Sequence, residues 1–114
     1  MFKTVKRTES YRYPVNLEIL EEDGSRSKAS FTGRFKRLSG PEVTETTSMI
    51  FKQLLSDEAT TRKVLTGWEA VVDPDGNPID FSPEALEERF NDHGFARDVV
   101  LSWLESVGRA KTKN

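Results

Sequence analysis

From Tyr13 to Ile19, and again from Lys28 to Lys36, apolar and polar positions alternate residue by residue. Tyr13, Val15, Leu17 and Ile19 alternate with Pro14, Asn16 and Glu18, the period of a strand that buries one face. Pro14 has no N–H to give to a ladder, so it belongs at the strand start or on an edge. "EEDGSR" follows, with Asp23-Gly24 as the turn signal. Then Ala29, Phe31, Gly33 and Phe35 alternate with Lys28, Ser30, Thr32, Arg34 and Lys36, so one face is apolar and the other nearly all basic. The two segments predict a hairpin. A lone hairpin is only marginally stable, so its apolar face needs a cover. The preceding "MFKTVKRTESYR", residues 1–12, is polar and basic, with scattered Phe2, Val5 and Tyr11; it reads as a flexible arm or an irregular edge strand.

Beyond Arg37 the period changes to that of helices. "SGPE", residues 39–42, has the spacing of a capping box with a proline in the first turn. Val43, Thr47, Ile50, Phe51 and Leu54 follow at helical spacing, which predicts a helix from about Pro41 to Leu55. "SDEAT" offers a second cap, with Asp57 and Glu58 at the positive helix end. It predicts a short helix that buries Val64, Leu65 and Trp68 and stops at Gly67; "WEAVV" reads as extended. Ser82 and Pro83 are an N-cap and first helical residue for a helix through Leu86 and Phe90. "NDHG" interrupts, and Phe95 to Val107 form a last helix ended by Gly108. Strands first and helices after indicate an α+β fold: an N-terminal antiparallel hairpin packed on a bundle of about four short helices. The expected organisation is an arm over 1–12, one domain over 13–108 and a disordered basic tail over 109–114.

Composition narrows the chemistry. The chain has 114 residues, no cysteine, one histidine and a formal net charge of -2. That suits one domain with a modest core. Disulfide scaffolds, thiolate metal sites and multi-histidine zinc sites are excluded. Near-balanced charge argues against a strong grip on nucleic acid or an anionic membrane. No apolar run suits a signal peptide or a bilayer span, so the expected location is cytoplasmic.

Residues 73–84, "DPDGNPIDFSPE", test a calcium-loop reading. Asp73, Asp75, Asn77 and Glu84 fall at places 1, 3, 5 and 12, as such a loop requires. Place 6, which needs glycine, is Pro78, and Ser82-Pro83 starts a helix inside the loop. A tight turn built on Pro74 and Gly76 is the better reading, with no metal expected.

The longer run "VLTGWEAVVDPDGNPIDFSPEALEERF", residues 64–90, resembles the signature of tail assembly chaperones of long-tailed phages and prophages. The family pattern falls on Gly67, Trp68, Glu69, Asp73, Gly76, Pro78, Ile79, Phe81, Ser82 and Leu86. "YPVNLEI" and "FTGRFKRLSGPE" are similar to the family's hairpin leading into a capped helix, so the resemblance spans roughly 13–107. "NDHGF" departs from the family pattern, in which a proline is common at that joint. The resemblance implies a binding protein of the host cytoplasm, without cofactor, that coats the tape measure protein and is absent from the mature virion. It also implies a longer frameshifted form that brings in tail tube subunits, with this chain as the short form.

Partner-binding candidates follow. Trp68, Phe81, Phe90, Phe95 and Trp103 are apolar enough to hold long helical segments, although aromatics at helical spacing also serve as core. Trp68 and Phe81 read as pins for the loop. Lys28, Arg34, Lys36 and Arg37 form a basic face for an acidic partner or a solvated strand face. The aromatic content exceeds what so small a domain readily hides, which predicts an exposed apolar groove and weak self-association through it. The alternative class is a small nucleic-acid-binding or adaptor domain using the basic strand face. By alternation, however, Phe31 and Phe35 point away from the basic side chains, whereas a base-stacking sheet exposes its aromatics. Catalysis has the weakest case. Asp92 and His93 are sequence neighbours in helix-end chemistry, Glu87 and Glu88 diverge on a helix, and no nucleophile or phosphate-loop motif accompanies them.

Overall fold

Two long strands, β1 (Ser10–Leu20) and β2 (Arg26–Lys36), form the expected hairpin. Their register sets Val15 opposite Phe31 and Glu18 opposite Lys28. A computed structural model describes residues 1–108, and the expected tail over 109–114 lies outside them. Helix α1 (Gly40–Phe51) opens on the capping box, with Ser39 and Glu42 each accepting the other's backbone N–H. Helix α2 (Asp57–Val64) opens on Ser56, whose Oγ accepts from the Ala59 amide at 3.0 Å. A short strand, β3 (Leu65–Glu69), follows at once. Helices α3 (Pro83–Arg89, capped by Ser82) and α4 (Phe95–Ser106) complete the chain. Among the described residues this is an α+β fold in which an antiparallel sheet of order β1-β2-β3 packs one face on four helices.

The third strand corrects the expectation that Leu65 and Trp68 lie on the second helix and that Gly67 ends it. That helix ends at Val64, and Gly67 sits inside β3, opposite Arg34. Gly33 pairs with Trp68, Arg34 with Gly67 and Phe35 with Leu65, leaving Thr66 as the extra residue of a bulge. The bulge puts two inward residues three apart, a spacing that imitates a helix repeat. Gly33 has a packing reason to be glycine. A Cβ there would stand 2.9 Å from Val15 Cγ2 and 3.3 Å from Leu65 Cδ1.

Two further boundaries move. β1 begins at Ser10, so Tyr11 belongs to the sheet opposite Phe35 rather than to an arm. α1 ends at Phe51, not Leu55. Gln53 takes a left-handed φ of 60°, its amide reaches Ile50 O and the Leu54 amide reaches Met49 O, which is a Schellman ending. The stripe that α1 buries or half-buries is Val43, Thr46, Thr47 and Ile50. Phe51 lies beyond that stripe and Leu54 beyond the helix.

The core joins Val15, Phe31 and Phe35 of the sheet to Val64, Leu65, Leu86, Phe95, Val99, Val100, Trp103 and Leu104. α4 lies along β1 and against α2. No helix among the described residues is long and apolar enough to cross a membrane.

Candidate functional site

The residues of the signature segment meet around one ring. Trp68 leaves β3 on the core side, and its indole Nε1 donates to Ile79 O at 2.7 Å. Phe81 stacks edge-on against it, with centroids 4.8 Å apart. Between them the chain leaves the sheet through Ala70, at a left-handed φ of 69°, and Val72 bridges Pro78. Asp73 organises the tip. Its Oδ1 accepts the Asp75 and Asn77 amides, each at 2.9 Å, and its backbone amide donates to Asn77 O at 2.8 Å. These bonds, the one from the Asn77 amide foremost, hold the carboxyl below its ordinary value of 3.8. The calcium-like spacing thus encodes a self-bonded turn, while Glu84 lies in the first turn of α3. No cluster of metal-ligating side chains occurs among the described residues.

Four of the five aromatic candidates, Trp68, Phe81, Phe90 and Phe95, join through Phe31 into one row of touching rings instead of an exposed groove, and Trp103 lies in the core apart from that row. Phe81 touches Trp68, Trp68 touches Phe31, Phe31 stacks on Phe95 at 6.0 Å, and Phe95 meets Phe90. Phe95 and Trp103 are core residues, Trp103 being 1% exposed, so both are withdrawn from any surface partner. Trp68, Phe81 and Phe90 are half-buried. The Arg62 guanidinium lies 5.0 Å from the Phe90 ring centroid while gripping Glu87 with two hydrogen bonds of 2.7 and 2.9 Å. That clamp ties α2 to α3.

The apolar surface lies elsewhere. Phe51 and Leu54, at the end of α1, are 66% and 68% exposed, beside half-buried Met49, Ile50 and Leu55. The sequence pattern placed both inside a longer helix. Lys52 and Gln53 between them are ordinary helix formers, so no glycine marks the stop that Gln53 makes at its left-handed φ.

The basic candidates stand on the open outer face of the sheet. Arg34 is partly engaged, with Ser10 Oγ at 3.3 Å and Glu69 at 3.6 Å, and Glu69 also faces Arg12 at 3.6 Å. Lys28 and Lys36 are exposed and take part in none of the ion pairs among the described residues. Arg37 is drawn to the β1 side, donating to Thr8 O and lying over Tyr11. The expected orientation holds: Phe31 and Phe35 are buried on the other face.

No protein-family model, no curated protein and no solved structure matches this chain.

Proposed function

We propose that the protein is a tail assembly chaperone, a non-enzymatic binding protein that holds the tape measure protein in the host cytoplasm and leaves before the virion is complete. The observation that carries this reading is the run 64–90. Its uncommon residues occur in the order of that family, and they belong to one folded unit around Trp68. A longer form that recruits tail tube subunits belongs to the same reading.

The partner surface in this proposal is the apolar end of α1. Phe51 and Leu54 are large, exposed and three residues apart, with polar Lys52 and Gln53 between them. A tape measure protein with long apolar-striped helices offers the complementary surface. Affinity purification of that protein by the wild type and by a Phe51→Ser/Leu54→Ser variant tests the assignment. Capture lost in the variant supports it, and equal capture by both moves the site elsewhere.

The nucleic-acid or adaptor alternative is favoured by Lys28 and Lys36, exposed on the outer sheet face and outside the ion pairs of the described residues. Retention on heparin at moderate salt separates it from the chaperone reading.

A further inference from the structure

Charge is nearly balanced over the chain but strongly segregated within the fold. Residues 1–39 hold nine Lys/Arg against five Asp/Glu, whereas residues 40–108 hold five against fourteen. The outer face of the sheet collects Arg12, Arg26, Lys28, Arg34 and Lys36; against them stand Glu18, opposite Lys28 by register, and Glu69, opposite Thr32 and 3.6 Å from both Arg12 and Arg34. Arg26, Lys28 and Lys36 are exposed and absent from the ion pairs of the described residues. The opposite pole lies in the loop and α3. Residues 73–92 contain seven Asp/Glu and a single base, Arg89. Arg62 and Arg89 neutralise Glu87 and Asp92, which leaves Asp75, Asp80, Glu84 and Glu88 exposed to solvent.

The two poles cannot meet within one molecule. Phe81 and Leu86 fix the loop and α3 to the core side of the sheet, through Trp68 and the buried cluster. The basic face looks the other way. We propose that the outer sheet face is an interface between copies of this chain, receiving the acidic loop–α3 lobe of a second copy. Such a contact joins unlike surfaces, so each copy keeps one free pole and the assembly grows head to tail. A face of two strands of about 35 Å and one short strand, spaced by about 4.8 Å, offers roughly 400–500 Å². That falls below the about 800 Å² per partner of stable complexes, so the association is weak and concentration dependent. Being carried by exposed charges, it is strongest when the screening length is long. This differs from self-association through an apolar groove, which the aromatic content alone suggested, and it does not depend on the chaperone reading.

The test uses sedimentation velocity on the full chain at about 20 mM and about 500 mM salt, which changes the screening length several-fold. Two neutralised variants are made on exposed positions, Arg26→Gln/Lys28→Gln/Lys36→Gln and Asp80→Asn/Glu84→Gln/Glu88→Gln. Circular dichroism identical to wild type qualifies each. The wild type is expected to form larger species at low salt that dissociate at high salt. Each variant alone is expected to associate on the order of tenfold more weakly. Mixed, the two variants are expected to give a one-to-one pair and nothing larger, because each retains a different pole. A wild type that stays monomeric at low salt, association unchanged in both variants, or an oligonucleotide bound by the sheet face in place of a second copy would each overturn the proposal.

Discussion

Asp98 Oδ2, on α4, accepts the backbone amide of Glu18, on β1, at 3.1 Å. One helical turn further on, Ser102 Oγ accepts the Asn16 amide at 3.3 Å, and Ser106 Oγ meets the Tyr11 hydroxyl at 2.8 Å. β1 pairs only with β2, so its other side is a sheet edge. The spacings match: four helical residues rise about 6 Å and two strand residues about 6.6 Å. Pro14, the next position facing outward, has no N–H to satisfy. The long edge strand is therefore closed by side chains of a helix and a proline, which keeps it from templating another strand.

Asp98→Ala leaves the Glu18 amide without its acceptor on a part-buried edge. The expected cost is about 1–3 kcal/mol, with faster aggregation on heating. Denaturant melts and light scattering measure both; a variant as stable and soluble as wild type would show that the edge needs no cover.

Trp68→Ala removes the ring that pins the loop to the sheet. Because Trp68 is half-buried, the expected loss is about 3 kcal/mol, at the low end for large aromatic truncations. Trp68→Phe, which keeps packing and loses the bond to Ile79 O, is expected to cost about 1 kcal/mol. Both are read from urea melts. An unchanged midpoint with lost partner binding would transfer Trp68 from the fold to the interface.

Gln53 holds a left-handed conformation that an L side chain adopts at a cost. Gln53→Gly is expected to stabilise the domain by about 0.5–1 kcal/mol, measured as a rise in melting temperature. Destabilisation would place the Gln53 side chain in a contact that outweighs the backbone relief.

Asp73 gives a pH prediction. Its carboxyl is lowered in the folded state, chiefly by the Asn77 amide. A lowered folded value means stability that is present above the unfolded carboxyl's range and lost as pH falls through the folded one. The melting-temperature difference between wild type and Asp73→Ala should therefore be full above about pH 5 and shrink in more acid solution. A difference that is constant across this window would contradict the carboxylate's role.

The hairpin was legible because a period of two runs from Tyr13 to Ile19 and again from Lys28 to Lys36 on either side of the Asp23-Gly24 turn, and the helix starts because Ser39, Ser56 and Ser82 carry local capping chemistry. β3 was hidden by its bulge, which spaces Leu65 and Trp68 like a helix. The end of α1 was hidden because Gln53 is a non-glycine residue in a position usually marked by glycine. The edge cover was not legible at all: Asp98 and Ser102 are ordinary polar letters until β1 is placed beside them. Aromatic candidates suffered from the same limit. Phe90 and Phe95 fall on separate helices in the sequence pattern, and only the tertiary contacts bring the two rings together and show Arg62 closing over Phe90. Phe51 and Leu54 escaped notice because the pattern extended the helix through them.

Whether this chain is a chaperone for a tape measure protein is decided by co-expressing it with the gene of such a protein. The co-purified material is then run on size-exclusion chromatography at low and high salt. The proposed function requires a soluble complex that co-elutes at both salts, because apolar contacts at Phe51 and Leu54 are little screened, while assemblies of this chain alone fall apart at high salt. A tape measure protein that remains insoluble or elutes separately from this chain in both conditions would contradict it.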